Sequence, residues 1–437
     1  MKRLLFVLLA LAMVLPVFAA AEKDQAAEGP ITLRVLNYAD ATTPAYAVEK
    51  EIWDTFRAQN PDIVLEYEEL FDEAFHTKTE AYAAAGRLPD VMFMWPSGRS
   101  STLYNRNLVK DLTPLMAPVK NEFVPIATSP GQFGILGQIP QSTTNTHVLY
   151  ANLGLLKKLG LSEPKTYADL VAMVPAARAA GVEVVLIPAK SDWVMQSCLF
   201  SMVLGRIAGD EFINDVLAGK ANFTDKPFVD SLAFIKRLYD DGVISRTALQ
   251  IDYGEGPALF ASEKSLFYID GAWRVGEFIT SPDSGVALIP PAKQQSDFKL
   301  MNFPVIPGEK NANSSSVIAG TGFGMNANIE AGSAKEAAAW RLISYLNSAE
   351  VLKKRLETGA FSNVTRIGVT ASKMEPLQVM NAQLAPAKAT YVVDGILDAS
   401  VYGPINIGLQ EMALGTATPE QVAQTTQKAF EEWEISN

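Results

Sequence analysis

The sequence predicts an α/β fold with two doubly wound lobes. Strands and helices alternate between Ile31 and Met94, and this alternation is the signature of a parallel, doubly wound sheet. A polar, irregular stretch at 138–146 precedes a new strand–helix unit, and an apolar, glycine-containing segment at 317–328 is typical of a returning strand. Both stretches predict crossings between lobes, and a chain of 437 residues is long enough for two such domains.

The elements of the first lobe follow from apolar spacing and from chain breakers. A helix at 44–59 carries apolar residues at helical spacing on one face. It stops at Asn60, because the residue before a proline leaves the α region. The other elements predicted here are strands at 31–36, 62–70 and 91–94 and a helix at 73–85.

The later elements are organised around the run Leu266–Ile269. Its apolar, β-branched and aromatic residues are typical of a strand buried on both faces, and Asp270-Gly271 predicts a sharp turn after it. Thr166 is predicted to cap a helix. The remaining predicted elements are strands at 147–152, 182–188 and 285–289 and helices at 153–159, 334–347, 404–414 and 419–433.

The amino-terminal residues predict export. Lys2 and Arg3 precede the apolar run 4–14, and small residues follow Pro16. This pattern predicts a signal peptide at 1–21, cleaved near Ala19–Ala21, and a polar, disordered lead-in at 22–30. No cysteine lies near the cleavage site, so a lipoprotein is not expected.

The composition limits the partners and the chemistry. The chain has 37 Lys and Arg against 48 Asp and Glu, and loss of the signal peptide leaves a net charge of −13. This acidic balance argues against nucleic acid and anionic lipid as partners. Cys198 has no partner for an intrachain disulfide, and two histidines, His76 and His147, are too few for a histidine-rich metal site.

Aromatic residues stand at the carboxyl ends of several predicted strands. Tyr38, Phe71 and Trp95 end the first three, Trp193 follows 182–188, and Trp273 follows the Asp270-Gly271 turn. Ligands of open α/β sheets bind beyond these strand ends. An indole beside an acid at that edge would be a stacking platform with a hydrogen-bond acceptor, and packing against a helix is the alternative.

The order of motifs resembles that of the family 1 extracellular solute-binding proteins, the maltose-binding-protein-like receptors of carbohydrate ABC importers. The stretches that match are FRAQNPDI (56–63), AAAGRLPDVM (83–92), VLYAN (148–152), PKTYADL (164–170), FASEKSLFYIDGAW (260–273) and GTGFGM (320–325). The resemblance implies two lobes joined by hinge segments, with a ligand cleft between them. Lobe 1 would comprise 31–145 and 322–370, and lobe 2 would comprise 146–321 and 371–437.

The resemblance also implies sugar-contacting residues. It assigns stacking to Trp273, polar contacts to Asp72 and, approximately, an aromatic contact to Tyr402. Sugar rings present C–H patches to aromatic faces, and their buried hydroxyls need hydrogen-bond partners. The candidate stacking residues are Tyr38, Trp95, Trp193, Trp273 and Tyr402, and the candidate hydrogen-bonding residues are Asp72, Asn145, Asp192, Asp270 and Arg366. Core packing is the alternative for each, and it is the expectation for Trp53, Trp340 and Trp433 inside helices.

The resulting functional hypothesis is a periplasmic receptor, a monomer without cofactor or metal, that delivers a carbohydrate to the permease of an ABC importer. A glycoside hydrolase is the alternative from another class, since it would also place carboxylates and aromatics around a sugar. No catalytic signature accompanies pairs such as Asp192 and Asp270. A binder of another solute, such as a polyamine, an amino acid or a metal, is the second alternative.

Overall fold

The computed structural model of the protein describes residues 29–316, 318–384 and 388–436. The predicted signal peptide at 1–21 and residues 22–28 of the predicted lead-in lie outside these ranges. Within them, no helix combines the length and the apolar character needed to cross a membrane.

Strands and helices alternate from Ile31 to Met94, and runs of consecutive strands or helices follow in the rest of the described chain. The strands are β1 (Ile31–Tyr38), β2 (Ile63–Leu70), β3 (Val91–Met94), β4 (Gln138–Pro140), β5 (Thr143–Thr144), β6 (Val148–Asn152), β7 (Glu183–Leu186), β8 (Ser265–Asp270), β9 (Phe298–Met301), β10 (Ser314–Ser316), β11 (Ile318–Ala319), β12 (Gly322–Met325) and β13 (Lys388–Thr390). The α-helices are α1 (Tyr46–Gln59), α2 (Glu73–Ala84), α3 (Ser101–Asn105), α4 (Thr113–Met116), α5 (Leu153–Lys158), α6 (Tyr167–Ala180), α7 (Trp193–Met195), α8 (Ser201–Ile207), α9 (Phe212–Leu217), α10 (Lys226–Asp240), α11 (Gly256–Ala261), α12 (Val275–Phe278), α13 (Pro291–Asp297), α14 (Ala334–Leu346), α15 (Ala349–Glu357), α16 (Pro376–Gln383), α17 (Val393–Ile396), α18 (Ala399–Leu414) and α19 (Pro419–Ser436).

The first sheet has the strand order β2-β1-β3-β12-β4. Its first three strands pair in parallel, as the sequence predicts, whereas β12 runs antiparallel to both β3 and β4. We call the unit built on this sheet lobe 1. Its core includes Phe56 of α1, Val35 of β1 and Leu342 of α14, so helices from the beginning and the later part of the chain cover the same sheet.

The second sheet has the strand order β7-β8-β6-β9. Strands β7 and β8 are parallel, and β6 is antiparallel to β8 and β9. All six residues of β8 are buried, which confirms the strand predicted at 266–269. We call the unit built on this sheet lobe 2, and its core also includes the carboxyl-terminal helices α18 and α19.

Short strands join the two lobes. Strand β5 leaves lobe 1 and pairs antiparallel with β11, which returns toward it. Strand β10 pairs in parallel with β13 beside them. Both predicted crossing regions, 138–146 and 317–328, therefore contain connecting strands that are distinct from the two main sheets.

Two local predictions need correction. The predicted strand at 285–289 is absent, and only Ala287 forms a bridge, with Thr280. Val286 is 67% exposed, so this apolar residue does not face a core. The predicted helix at 404–414 begins earlier, at Ala399, because Asp398 caps it by accepting a hydrogen bond from the Ser400 backbone N–H. The predicted cap at Thr166 is confirmed, and Asp169 completes a capping box there.

Candidate functional site

The carboxyl ends of β1, β2 and β3 bring aromatic residues together in lobe 1. Tyr38 ends β1, and its ring centroid lies 5.3 Å from that of Phe71 after β2 and 4.8 Å from that of Trp95 after β3. Because these strands are parallel neighbours, their ends meet at one edge of the sheet. The sequence signal of aromatics at strand ends therefore corresponds to one continuous aromatic surface.

A second aromatic group forms at the matching edge of lobe 2. The rings of Trp193 and Tyr253 lie 4.8 Å apart in an edge-to-face arrangement. Trp273, which follows β8, donates a hydrogen bond from its indole Nε1 to the Tyr253 hydroxyl at 2.6 Å. Tyr253 thus links the two tryptophans and fixes the orientation of Trp273.

The position of Trp273 depends on Gly271. A Cβ at residue 271 would lie 2.2 Å from the six-membered ring of the Trp273 indole. The indole folds back over the turn, and only a residue without a side chain leaves room for it. The turn predicted at Asp270-Gly271 therefore also determines the location of the aromatic face.

The two aromatic groups lie on a shared cavity between the lobes. Its volume is about 350 Å³, within the range of about 300–1,000 Å³ that is typical of small-molecule sites. Five of the ten residues predicted from the sequence line it, namely Tyr38, Asp72, Trp95, Trp193 and Trp273.

Direct hydrogen bonds cross the cavity between the lobes. Asp72, at the start of α2 in lobe 1, accepts from the Trp193 indole Nε1 at 3.2 Å and from the Ser191 hydroxyl at 2.9 Å. The backbone of Asp72 has φ 51° and ψ −142°, a strained conformation for a residue other than glycine. The contacts from lobe 2 thus converge on a carboxylate held in an unfavourable backbone geometry.

Arg99 provides a second connection. This lobe 1 guanidinium lies 3.0 Å from the Asp394 carboxylate of α17 in lobe 2, and it faces the rings of both Trp95 and Trp193 at 5.9 and 5.3 Å. Its Nη1 is 3.3 Å from His76 Nε2, which accepts because a guanidinium can only donate. Burial, together with the charge of Arg99, lowers the pKa of His76 to about 3 and keeps its ring neutral.

The lobes also meet in close backbone contact. A Cβ at Gly98 would lie 2.3 Å from the carbonyl oxygen of Asp394 and 2.5 Å from that of Leu397. Beside this contact, the Ser101 hydroxyl donates to the Asp398 carboxylate at 2.6 Å. The structure is therefore a closed arrangement in which lobe 1 residues just beyond β3 are seated on the segment around α17 of lobe 2.

Two of the predicted residues, Asn145 and Asp270, form hydrogen bonds within the protein interior next to the cavity. Asn145 accepts hydrogen bonds from the His147 backbone N–H and the Ser315 hydroxyl, at 2.9 and 2.8 Å, and thereby ties the connecting strands together. Asp270 is fully buried and accepts from Arg274 Nε at 3.0 Å. Neither lines the cavity, because both side chains turn toward neighbouring backbone and charged groups.

The other three also lie outside the cavity wall. Arg366 forms an ion pair with Glu122 in lobe 1 and donates to the Asn347 carbonyl oxygen at 3.2 Å. Asp192 is partly buried beside Trp193, and this burial raises the pKa of its carboxyl group. Tyr402, on α18, lies near Arg99, and burial raises the pKa of the Tyr402 hydroxyl to about 12.

Sequence reasoning missed several residues that line the cavity. Arg99, Tyr253 and Asp394 are the most important of these. Asp394-Gly395 follows an apolar run, the same pattern that singled out Asp270-Gly271, so a signal for it was present. Tyr253 lies in a short 3₁₀ segment between α10 and α11, and no apolar run followed by Asp-Gly directly precedes it.

Among the described residues, no group of three or more His, Cys, Asp and Glu side chains could hold a metal ion. The cavity wall is instead aromatic rings, hydroxyls and charged pairs. Such a wall can enclose a ring-bearing solute and hydrogen-bond its edge.

Known proteins resemble this chain in sequence and in fold. Residues 39–353 match the family described as bacterial extracellular solute-binding protein. The multiple sugar-binding protein of Streptococcus mutans is 23% identical over 372 residues, which cover 82% of each chain. The maltose/maltodextrin-binding domain of Bdellovibrio bacteriovorus, bound to maltotriose, has a TM-score of 0.73 at 20% identity, over 93% of this chain and all of that one.

A further structural relative comes from work on xylan utilization by Caldanaerobius polysaccharolyticus, with a TM-score of 0.80 at 21% identity over 91% of this chain and 99% of that one. The likeness to both solved structures concerns the fold. The family match spans most of the chain, from just after β1 to α15, and includes Trp95, Trp193 and Trp273. The chain therefore belongs to the family of bacterial extracellular solute-binding proteins.

Proposed function

We propose that this protein is the exported receptor of an ABC-type importer, and that it captures a carbohydrate between its two lobes. The observation that carries the proposal is the pairing of an aromatic group from each lobe across one cavity. Aromatic faces suit the C–H patches of a sugar ring, and the neighbouring polar groups suit its hydroxyls. Relatives named as sugar-binding proteins support the choice of ligand class.

We assign ligand contact to the predicted residues that line the cavity. Trp95 and Tyr38 would contact the sugar from lobe 1, and Trp193 and Trp273 from lobe 2. Asp72 would accept from sugar hydroxyls. The remaining predicted residues, Asn145, Asp192, Asp270, Arg366 and Tyr402, would act on the ligand only through their neighbours.

The proposal includes the domain division and the cellular context. Lobe 1 would span 31–145 and 322–370, and lobe 2 would span 146–321 and 371–437, with the connecting strands β5, β10 and β11 as the hinge. The mature protein would be a periplasmic monomer, without a lipid anchor, that docks on membrane permease subunits. Closure would follow from ligand contact with both lobes, which selects the shut state.

The contacts of two cavity carboxylates argue against a catalytic role for them. A glycosidase needs one carboxylic acid with a raised pKa and a second carboxylate free to act on the sugar. Burial raises the pKa of Glu277, but Arg274 holds this carboxylate in an ion pair. Arg99 holds Asp394 in the same way. These pairs oppose the protonation and the freedom that catalysis would require.

A ligand screen tests the proposal. The mature protein is mixed with uncharged mono- and oligosaccharides, amino acids and polyamines, and its unfolding temperature is measured. We expect stabilisation by one class of sugar only, since a ligand that binds the folded state raises its stability. Stabilisation by an amino acid or polyamine alone, or turnover of chromogenic glycosides, would contradict it.

A further inference from the structure

The charged groups of the cavity indicate which carbohydrates it accepts. Three arginines and five carboxylates line it, and among the described residues no lysine does. The arginines are Arg99, Arg274 and Arg355, and the carboxylates are those of Asp40, Glu49, Asp72, Glu277 and Asp394. The balance is negative, and the contacts of each arginine decide whether any positive charge is left for a ligand.

Each nitrogen of the Arg355 guanidinium donates to the protein. Its Nε and Nη2 donate to the two carboxylate oxygens of Glu49 at 2.8 and 2.7 Å, and its Nη1 donates to Gln141 Oε1 at 2.7 Å. This is the bidentate geometry in which arginine binds carboxylates most strongly. A ligand carboxylate could form the same bidentate pair with this guanidinium only by displacing Glu49.

Arg274 is engaged in the same way. It donates to the Asp270 carboxylate from Nε at 3.0 Å and to the Tyr253 carbonyl oxygen from Nη2 at 2.6 Å, and its Nη1 pairs with Glu277. Only 3% of its side chain is exposed. Breaking a buried pair of this kind is strongly destabilising, because it leaves an uncompensated charge.

Arg99 is shared among acidic and neutral partners. Its ion pair with Asp394 at 3.0 Å is accompanied by Glu73 at 3.9 Å and by His76. All three cavity arginines are therefore neutralised by carboxylates. His76 accepts from Arg99 and does not add a positive charge.

Two carboxylates of the cavity form no ion pair among the described residues. Within the described part of the chain, Asp72 accepts from the neutral donors Ser191 and Trp193, and Asp40 accepts from the backbone N–H and the hydroxyl of Thr42 at 2.8 and 2.6 Å. Their negative charges are thus held by neutral donors rather than by an ion pair at the cavity wall. An anionic ligand enclosed here would face repulsion and would find no free donor cation, whereas an uncharged ligand can donate hydroxyls to these oxygens.

We infer that the site selects uncharged carbohydrates and excludes uronic acids and other acidic sugars. This inference rests on the proposed function, since it specifies the sugar class that the cavity takes. Exclusion would be electrostatic. A sugar and its acidic counterpart have nearly the same ring, so shape alone would not separate them.

A panel of neutral and acidic sugars tests the inference by calorimetry. The neutral members are glucose, galactose, galactobiose, xylobiose, maltotriose and chitobiose, and the acidic members are glucuronate, galacturonate, digalacturonate and N-acetylneuraminate. We expect binding only among the neutral members, with any acidic counterpart at least tenfold weaker. An acidic sugar that binds as tightly as its neutral counterpart would overturn the inference. Absence of binding by every sugar would instead contradict the proposed function.

A charge variant tests the cause. In Asp72→Asn, the ratio of the Kd of an acidic sugar to the Kd of its neutral counterpart should fall at least threefold. The reason is that one negative charge of the cavity wall is lost. The matched control is Asp62→Asn, which removes a charge at the amino end of β2, where Asp62 pairs with Arg341 at 2.8 Å. An equal change in both variants, or none in Asp72→Asn, would show that the selectivity does not arise from the cavity charges.

Discussion

Trp193 donates a hydrogen bond across the interlobe cavity to Asp72, with 3.2 Å between indole Nε1 and Oδ1. The two residues belong to different lobes, so this bond exists only when the lobes are together. Its acceptor is a carboxylate, and hydrogen bonds to charged groups contribute about 1.5–3 kcal/mol. The bond therefore links the shut state to a specific pair of atoms.

Trp193→Phe removes this donor and keeps an aromatic ring. We expect the unliganded protein to shift toward an open arrangement, and sugar affinity to fall about tenfold, which corresponds to about 1.4 kcal/mol. Small-angle X-ray scattering would report a larger radius of gyration, and calorimetry would report the affinity. Trp340→Phe, in helix α14 of lobe 1, is the control. An unchanged radius and affinity would remove this bond from the closing mechanism.

Gly98→Ala places a methyl group where lobe 1 meets the backbone of Asp394 and Leu397. The distances of 2.3 and 2.5 Å are too short for a carbon beside an oxygen, so the lobes must separate. We expect ligand affinity to fall at least tenfold, with little change in the melting temperature of the unliganded protein. Gly131→Ala is the matched control, because a Cβ there would meet nothing within 4 Å. Equal affinities in the two variants would mean that full closure is not needed for binding.

The stability of the fold should fall on acidification because of His147. Burial lowers its pKa from an ordinary 6.5 to about 3, and its Nδ1 accepts from the Ser316 backbone N–H at 3.0 Å. Below pH 6.5, His147 therefore binds a proton in the unfolded chain, whereas in the folded chain it binds one only near pH 3. This histidine should remove about 1 kcal/mol of unfolding free energy per pH unit in that window.

The measurement is urea unfolding at pH 7, 6, 5 and 4.5 for the wild type and for His147→Asn. The asparagine can supply an acceptor in place of Nδ1 without the titrating ring. We expect a shallower loss of stability in the variant, while His76 keeps its own contribution, since its pKa is also lowered to about 3. Parallel curves would assign the acid sensitivity to other groups.

The fold could be predicted, and five of the ten predicted site residues line the cavity, because one rule connects both to the sequence. Aromatics at the ends of parallel neighbouring strands must meet, and Tyr38, Phe71 and Trp95 do so in lobe 1. The turn that follows β8 brings Trp273 to the cavity in the same way. Periodicity and chain breakers carry this information locally.

The other predicted residues depended on side-chain directions and tertiary contacts. Asp270 ends β8, yet its carboxylate turns inward to Arg274 and is buried. Asn145 accepts a hydrogen bond from the hydroxyl of Ser315, which lies in a connecting strand 170 residues later. Arg99 and Asp394 gain their significance only when the lobes close against each other. Such pairings follow from tertiary geometry, which strand-end patterns do not encode.

The most direct test of sugar capture is calorimetric titration of the Trp273→Ala variant with the sugar identified by the screen. Trp273 lines the cavity and donates to Tyr253, so the substitution removes a stacking face and leaves the partner hydroxyl unpaired. We predict a loss of more than about 1 kcal/mol, or more than about fivefold in affinity, with no change for Trp340→Ala. Wild-type affinity in the Trp273→Ala variant would contradict the binding of a sugar between these aromatic groups.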